Sequence, residues 1–385
     1  MTTWAGGKAP SLFIGRSIIL RRELLAGGLA SAMPTGRQGA SSVRVPITIR
    51  DGHLHLEGGV LDGRAVSVVL DTAAGISSVS QALVVEKESG PSGRIPLITA
   101  SGRVTVPTYD SLMLQLPGLP TLGGPWAAMP PSLQPGVDCV LSARALGEFG
   151  LQFSTGFLLL NGGLLSGERL SLRRGRVPIM DFRCDAERCF LAADTGADRS
   201  SINPNEGARL AATPGAKAVY YSTAFGRRLH ALRLPLASCG DAVFRDTLLF
   251  VRSSEQAIAT RSGVVGLLGL DFMRAFDWSF RSSPWHARKH GGPSGVQQWI
   301  GLGVDLRIDD QDPGRVVGLA ETGPAALAGL MVGDRITTMN GEAAIPSNRV
   351  AFDAVGNCGC IEDITVVFER VGRRTSATIS TAALI

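Results

Sequence analysis

The sequence predicts an all-β chain, and three observations carry that prediction. Glycine (48) and proline (21) are abundant in 385 residues, while aromatic and charged residues make up only 6% and 18%, the composition of many short strands joined by turns. Short apolar runs are bounded throughout by Gly, Pro and Ser clusters. A set of landmarks in the first half also returns in the second at nearly the same spacing. The length favours about two to three domains, each able to bury its own core.

The N-terminus carries Arg21-Arg22-Glu23, then a short apolar run from Leu24 to Ala32 that ends in Ala30-Ser31-Ala32. A charged region, a short apolar region and an A-x-A-like site describe a secretory signal. The paired arginines and Gly27-Gly28 resemble the twin-arginine export signal of bacteria. Residues 1–42 are expected to be a leader and the rest to be exported, periplasmic or extracellular, with a frayed N-terminus as the alternative. No later run reaches the roughly eighteen apolar residues of a membrane span. The net charge of +5 rests on arginine, since lysine occurs only at Lys8, Lys87, Lys217 and Lys289. The one basic knot, His286 to His290, lacks interleaved aromatics, so no nucleic-acid partner is expected. Six cysteines fit an exporting compartment. Cys184 and Cys189 are candidates to face each other across a hairpin, and Cys358-Gly359-Cys360 is too tight to bridge easily.

The chain becomes strand-like at Val45-Pro46-Ile47 and alternates through His53-Leu54-His55-Leu56. His53 and His55 share a strand face, but no third ligand accompanies them, and neither metal nor cofactor is expected. Val66 to Leu70 is an apolar strand that runs into Asp71-Thr72-Ala73-Ala74-Gly75. Ser77 to Ser80 follows as a short strand, then a glycine turn at Gly102, then Cys139-Val140-Leu141-Ser142, an alanine-rich helical turn to Leu146, and Phe149 to Leu160. The pattern restarts at Val177-Pro178-Ile179. Cys189 to Ala193 leads into Asp194-Thr195-Gly196-Ala197-Asp198, with a glycine turn at Gly226 and then Gly266-Leu267-Leu268-Gly269-Leu270-Asp271. Asp71 to Gly102 spans 31 positions and Asp194 to Gly226 spans 32; Asp71 to Leu141 spans 70 and Asp194 to Leu268 spans 74. Agreement at successive landmarks makes this an internal duplication. A polar Gly/Pro-rich stretch follows Phe280, and a third unit runs from about Trp299, with a short helix begun near Ser347 and a final strand from Ile364 to Phe368. The expected units are 43–165, 166–283, a linker at 284–297, and 298–385.

Two Asp-Thr turns after apolar strands point to chemistry that uses two carboxylates at one place. Two carboxyls about 3 Å apart do not both ionise cheaply, so they share a proton; one then acts as base toward water and the other as acid toward a carbonyl. Thr72 and Thr195 are expected to tie the turns together through their hydroxyls. Gly196 lets backbone approach the carboxylate because it has no Cβ.

These residues resemble the aspartic proteases, specifically retropepsin-like units fused in tandem as in pepsin's two lobes. Leu191 to Asp198 matches the motif, and Gly266 to Phe272 resembles the hydrophobic-Gly segment that braces it. The resemblance covers roughly residues 43 to 283. It implies a two-lobed acid-protease-like β-barrel fold with Asp71 and Asp194 as the catalytic pair of an aspartic-type endopeptidase. It also implies Asp198 as a contact for substrate backbone, and Gly102 and Gly226 at the tips of hairpins that close over a polypeptide substrate. The first half departs from the pattern twice: Ala73 replaces the motif glycine, and Cys139-Val140-Leu141-Ser142 replaces the Leu-Leu-Gly brace. The alanine keeps its N–H for the carboxylate, while its methyl is a candidate to crowd the partner turn.

The last ninety or so residues resemble a bacterial-type PDZ domain. Ile300-Gly301-Leu302-Gly303 is similar to the loop whose N–H groups receive a peptide C-terminus. Gly323 to Leu330, Val332 to Ile336 and Asn340-Gly341 match that family's small-residue helix and following strand. A Gly-x-Ser-x-Gly stretch, a Walker loop and a dinucleotide fingerprint are all absent. The expected function is peptide-bond hydrolysis by water held at the acid pair, with the PDZ unit binding a polypeptide terminus. The alternatives are a catalytically impaired peptide-binding or regulatory protein acting through its PDZ unit, and a lobe that pairs with a lobe of a second molecule.

Overall fold

The computed structural model describes residues 43–50, 52–85, 90–99, 102–130, 136–160, 167–173, 177–252, 263–280, 286–289, 299–307, 312–345, 348 and 361–385. The leader, Cys358, Cys360, the helix expected near Ser347, and 284–285 and 290–297 of the expected linker lie outside these residues. The chain is all-β, built from short strands with few and brief helices.

Two halves repeat one sheet. In the first, the neighbours run His53–Leu56, Val68–Asp71, Cys139–Ser142, Ser78–Ser80, Trp126–Met129, Gly102–Tyr109, Gly93–Thr99. In the second they run Ile179–Cys184, Glu187–Ala193, Val264–Leu268, Ser201–Ile202, Ala242–Val251, Gly226–Cys239, Lys217–Thr223. The pairing senses also match. Val68–Asp71 lies parallel to Cys139–Ser142, as Glu187–Ala193 does to Val264–Leu268. The short third strand of each half runs antiparallel to that brace and parallel to the next strand out. The duplication read from spacing is therefore a duplication of topology.

A shared antiparallel sheet joins the halves. Its order is Val43–Arg50, Phe157–Leu160, Phe149–Gln152, Phe276–Phe280, His286–Lys289 and Glu168–Arg169. The Phe149 and Phe280 rings stack across it with centroids 4.6 Å apart. Asp277, fully buried, accepts from the Ser154 N–H at 2.9 Å and the Ser154 hydroxyl at 2.6 Å, so a carboxylate from the second half pins a turn of the first. This corrects the expected linker at 284–297: His286–Lys289 is a strand of the joining sheet. Alternation of His286 and Arg288 with the buried Ala287 was the available signal, and the surrounding Gly/Pro composition masked it.

One long-range core runs through both halves and includes Leu54, Leu70, Leu141, Leu191, Leu268 and Trp278. Pro204–Ala211, a helix the strand pattern does not announce, follows the second turn; Asn203 caps it by accepting the Glu206 N–H at 2.8 Å, with Pro204 in the first turn. Cys184 and Cys189 do not face each other: Cys184 sits opposite Glu187 and Cys189 opposite Phe182, and both thiols are free and buried, as are those of Cys139 and Cys239.

The third unit has its own core around Leu302, Val316, Ile336, Ile364 and Phe368. Its strands are Val304–Arg307, Arg315–Ala320, Arg335–Met339, Asp363–Arg370 and Arg373–Ser380. Asp334 of the Gly-Asp-Arg segment is buried between the Arg370 guanidinium, at 2.7 Å through each of two nitrogens, and the Met331 N–H at 2.8 Å. Among the described residues no helix is long and apolar enough to cross a membrane.

Candidate functional site

The two Asp-Thr turns meet at the junction of the halves. The Thr72 hydroxyl donates to the Ala193 carbonyl at 2.7 Å and accepts the Thr195 N–H at 3.0 Å. The Thr195 hydroxyl donates to the Leu70 carbonyl at 2.6 Å and accepts the Thr72 N–H at 3.1 Å. Each hydroxyl thus bonds the backbone on either side of the other turn's aspartate, across 121 to 125 positions of sequence. Thr72 and Thr195 are 1% and 0% exposed, so these four bonds form without competition from water.

This grip brings Asp71 and Asp194 together at 2% and 0% exposure, close enough for Asp71 to feel the charge of Asp194. The Asp71 carboxyl is pushed well above the usual carboxylate range, first by burial and then by the charge of Asp194. N–H groups oppose the shift: Ala73 and Ala74 both donate to Asp71 Oδ1 at 2.8 Å. Across the site, Gly196 donates to Asp194 Oδ1 at 2.9 Å. A Cβ at Gly196 would lie 2.7 Å from Asp71 Cγ and Oδ2, so only glycine fits on that side of the pair. The first half places Ala73 at the matching position, fully buried, with its N–H used as a glycine's would be.

The second departure, Ser142 for the brace glycine, has a physical compensation. Gly269 has no room for a side chain, because a Cβ would fall 2.5 Å from the Arg199 carbonyl carbon and 2.9 Å from the Ala197 oxygen. Gly269 donates its N–H to the Ser200 hydroxyl at 3.0 Å. Ser142 likewise donates its N–H to the Ser77 hydroxyl at 3.1 Å, six positions after Asp71 as Ser200 is after Asp194. Its own hydroxyl donates to the Ala74 carbonyl at 2.6 Å. The first half therefore makes room for a serine and uses it to tie the brace to the Asp71 turn.

Asp198 sits at the edge of the cleft. Its carboxylate is 3.9 Å from Arg199 Nε, its Oδ1 is buried without a hydrogen-bond partner among the described residues, and Gly52 approaches so closely that a Cβ there would lie 2.8 Å from the Asp198 Cβ. Two groups near it escaped the sequence reading. Asp271, in the first turn of the short helix after the brace, accepts from the Ser200 N–H, the Ser200 hydroxyl and the Phe272 N–H at 2.7 to 2.8 Å. Burial pushes its carboxyl up to about 6 against those bonds. Arg252, almost wholly buried, donates to the Ser201 hydroxyl at 2.7 Å and feels the charges of Asp194 and Asp198; burial lowers its pKa. No local motif marks an isolated arginine after an apolar strand, so only the fold reveals it.

Gly102 opens the return strand of the first hairpin, opposite Thr99. Gly226 stands at the turn of the second hairpin with φ +105°, opposite Thr223. The two hairpins differ in their surroundings: Lys217–Thr223 is paired along its outer edge with Arg315–Ala320 of the third unit. Within the first half, a cavity of about 300 Å³ opens beside the Asp71 turn, lined by Ile76, Ile95, Leu97, Leu122 and Trp126, with Arg144. In the third unit Ile300 and Gly301 pair with Ala382 and Ala383, while Leu302 is fully buried and Gly303 has φ +73°. His53 and His55 lie on an inner strand, where Arg50 Nη2 is 3.3 Å from His55 Nδ1.

No family model and no curated protein matches the chain. Among solved structures it is similar to one described as the HtrA-type protease AlgW with decapeptide, at 13% identity, over 86% of this chain and 82% of that chain, with a TM-score of 0.22. That finding corrects the enzyme type expected from the motif. The similar structure is described as an HtrA-type protease, and an aspartic-type endopeptidase is not supported. His230 and His286 are engaged elsewhere, the first stacked on Tyr221 and the second 3.0 Å from the Gly167 carbonyl.

Proposed function

We propose that this is a protease-like polypeptide-handling protein whose cleft holds a polypeptide beside two buried carboxyls, while the third unit receives a polypeptide terminus. The observation that carries this reading is the crossed grip of Thr72 and Thr195 on the two aspartate turns. It fixes two buried acids face to face, an arrangement a purely structural junction gains nothing from, because each buried carboxyl costs free energy. The cavity beside Asp71 suits an apolar side chain of the bound polypeptide. The Ile300 to Gly303 loop offers backbone N–H groups to a peptide terminus. Export of the chain belongs to the same proposal.

Cleavage of a mixed peptide pool, read by mass spectrometry from pH 3 to pH 8, tests it. Capture or cleavage of peptides is expected, and a chain that neither binds nor cuts any of them overturns the reading. Asp71→Asn and Asp194→Asn are each expected to weaken peptide handling, because the crossed grip builds the cleft around that pair, and unchanged handling in both variants overturns the reading.

A second reading is peptide binding without turnover. Ala73 favours it, since the mirror position is one where no Cβ fits against Asp71. On that reading the native chain binds but does not cut, and Ala73→Gly switches cutting on.

A further inference from the structure

The second hairpin does not end at the edge of its own half. Tyr221, Ser222 and Thr223 pair antiparallel with Ala320, Leu319 and Gly318 of the third unit, and the Glu321 N–H donates to the Tyr220 carbonyl at 3.1 Å. On its far side that same third-unit strand pairs with Val304–Arg307, which directly follows the Ile300 to Gly303 loop. Among the described residues the other edge of Val304–Arg307 carries no strand. A peptide whose terminus sits in the loop adds there. Only one strand then separates the docking strand from the hairpin.

Side chains cross the same junction. Asp305, on the docking strand and 9% exposed, accepts from Arg228 Nη2 of the hairpin at 2.7 Å and lies 3.5 Å from His230 Nδ1. The His230 ring packs against both Tyr221 and Trp299, at centroid distances of 3.9 and 5.1 Å. Arg227 holds Glu321 at 2.9 Å. Gly318 is the pinch point: a Cβ there would lie 3.0 Å from Asp305 Oδ2 and 3.1 Å from both Asp305 Cβ and Tyr221 Cδ2. In the other direction the ladder continues toward the acid pair. Ala231 of the hairpin pairs with Phe250, Phe250 with Ser201, and Ser201 with Leu267, beside the brace of Asp194.

We propose that the second hairpin and the third unit's sheet form one device, in which a peptide added beside Val304–Arg307 stiffens Lys217–Cys239 and thereby the Asp194 side of the cleft. This rests on the reading of Ile300 to Gly303 as a terminus-binding loop. The device turns occupancy of one site into order at the other through a continuous hydrogen-bonded ladder with two faces buttressed by Arg228–Asp305 and by the aromatic stack. It also explains why the two hairpins differ: the first is left to cover the cleft, and the second is committed to the third unit.

Hydrogen exchange on the full chain carrying Asp194→Asn, which keeps the probe intact, tests the coupling. The probe is a decapeptide ending in three apolar residues with a free carboxylate, and its C-terminal amide is the control; binding is followed separately by fluorescence anisotropy. At saturation the acid is expected to slow exchange in Lys217–Thr223 and Gly226–Arg233 at least fivefold, and the amide less than twofold. Saturated binding with unchanged hairpin exchange overturns the coupling alone. Absence of binding overturns the terminus-binding reading and the coupling with it. Gly318→Ala, which widens the pinch, is expected to bind the acid within threefold of the parent yet lose the hairpin response; an undiminished response overturns the proposed route.

Discussion

Replacing Thr195 by valine removes one hydroxyl and leaves the side-chain shape almost unchanged. Two hydrogen bonds disappear, the donation to the Leu70 carbonyl and the acceptance from the Thr72 N–H. Both partners are backbone groups at a position with no water access, since Thr195 is 0% exposed. Each stranded group costs about 1 to 3 kcal/mol, so the variant is expected to lose roughly 2 to 6 kcal/mol. Thr195→Ser keeps the hydroxyl and loses only a buried methyl, about 1 kcal/mol. Urea unfolding followed by tryptophan fluorescence, with a fixed m-value across variants, measures both. Thr72→Val is expected to resemble Thr195→Val, and the double variant to cost less than the sum, because either change already opens the shared network. A loss under about 1 kcal/mol for Thr195→Val, with the serine variant no better, refutes the claim that the crossed hydroxyls hold the halves in register.

Other outcomes follow from the same geometry. Gly196→Ala drives a methyl to 2.7 Å from the Asp71 carboxyl and is expected to cost about 1 to 3 kcal/mol, whereas Ala73→Gly relieves a filled position and is expected to stay within about 1 kcal/mol of the parent; the same unfolding assay reads the asymmetry. Asp271, raised from 3.8 to about 6 by burial, binds its proton more tightly folded than unfolded. Its contribution is therefore complete below about pH 4 and is lost as pH rises through 6, a fall of about 3 kcal/mol. Asp271→Asn is expected to flatten that slope, and unfolding at pH 4 and pH 7 tests it. Asp181 behaves oppositely: its bonds to Arg188 at 2.7 and 2.8 Å lower its pKa, so its smaller contribution is present at neutral pH and fades on acidification. Arg188→Gln is expected to lessen acid sensitivity without touching the cleft, as acid titration by circular dichroism reads.

Much of the site was legible in the chain because its parts are local. An apolar strand ending in Asp-Thr writes a buried carboxylate at a turn, and the repeat of that signal at Asp71 and Asp194 with matched spacing announced two copies of one unit. The brace after the second turn was legible for the same reason, down to Gly269. What resisted reading was context. Cys139-Val140-Leu141-Ser142 looks like a failed brace until the Ser142 hydroxyl is seen on the Ala74 carbonyl. His286–Lys289 looks like linker because its strand partners, Phe276–Phe280 and Glu168–Arg169, hide among less regular stretches. Arg252 and Asp271 acquire meaning only from neighbours far away in sequence.

The sequence by itself determined the all-β class, the doubling of the unit and the identity of both Asp-Thr turns, since short-range alternation and turn chemistry encode those directly. Only the tertiary structure decided that Ala73 keeps its bond to Asp71, that Ser142 fits where Gly269 admits no side chain, and that the second hairpin belongs to the third unit's sheet. The physical reason is the same in each case. Whether a methyl or hydroxyl fits, and which edge a strand finds, depends on atoms brought together across a hundred or so residues. No residue carries that information in its own neighbourhood.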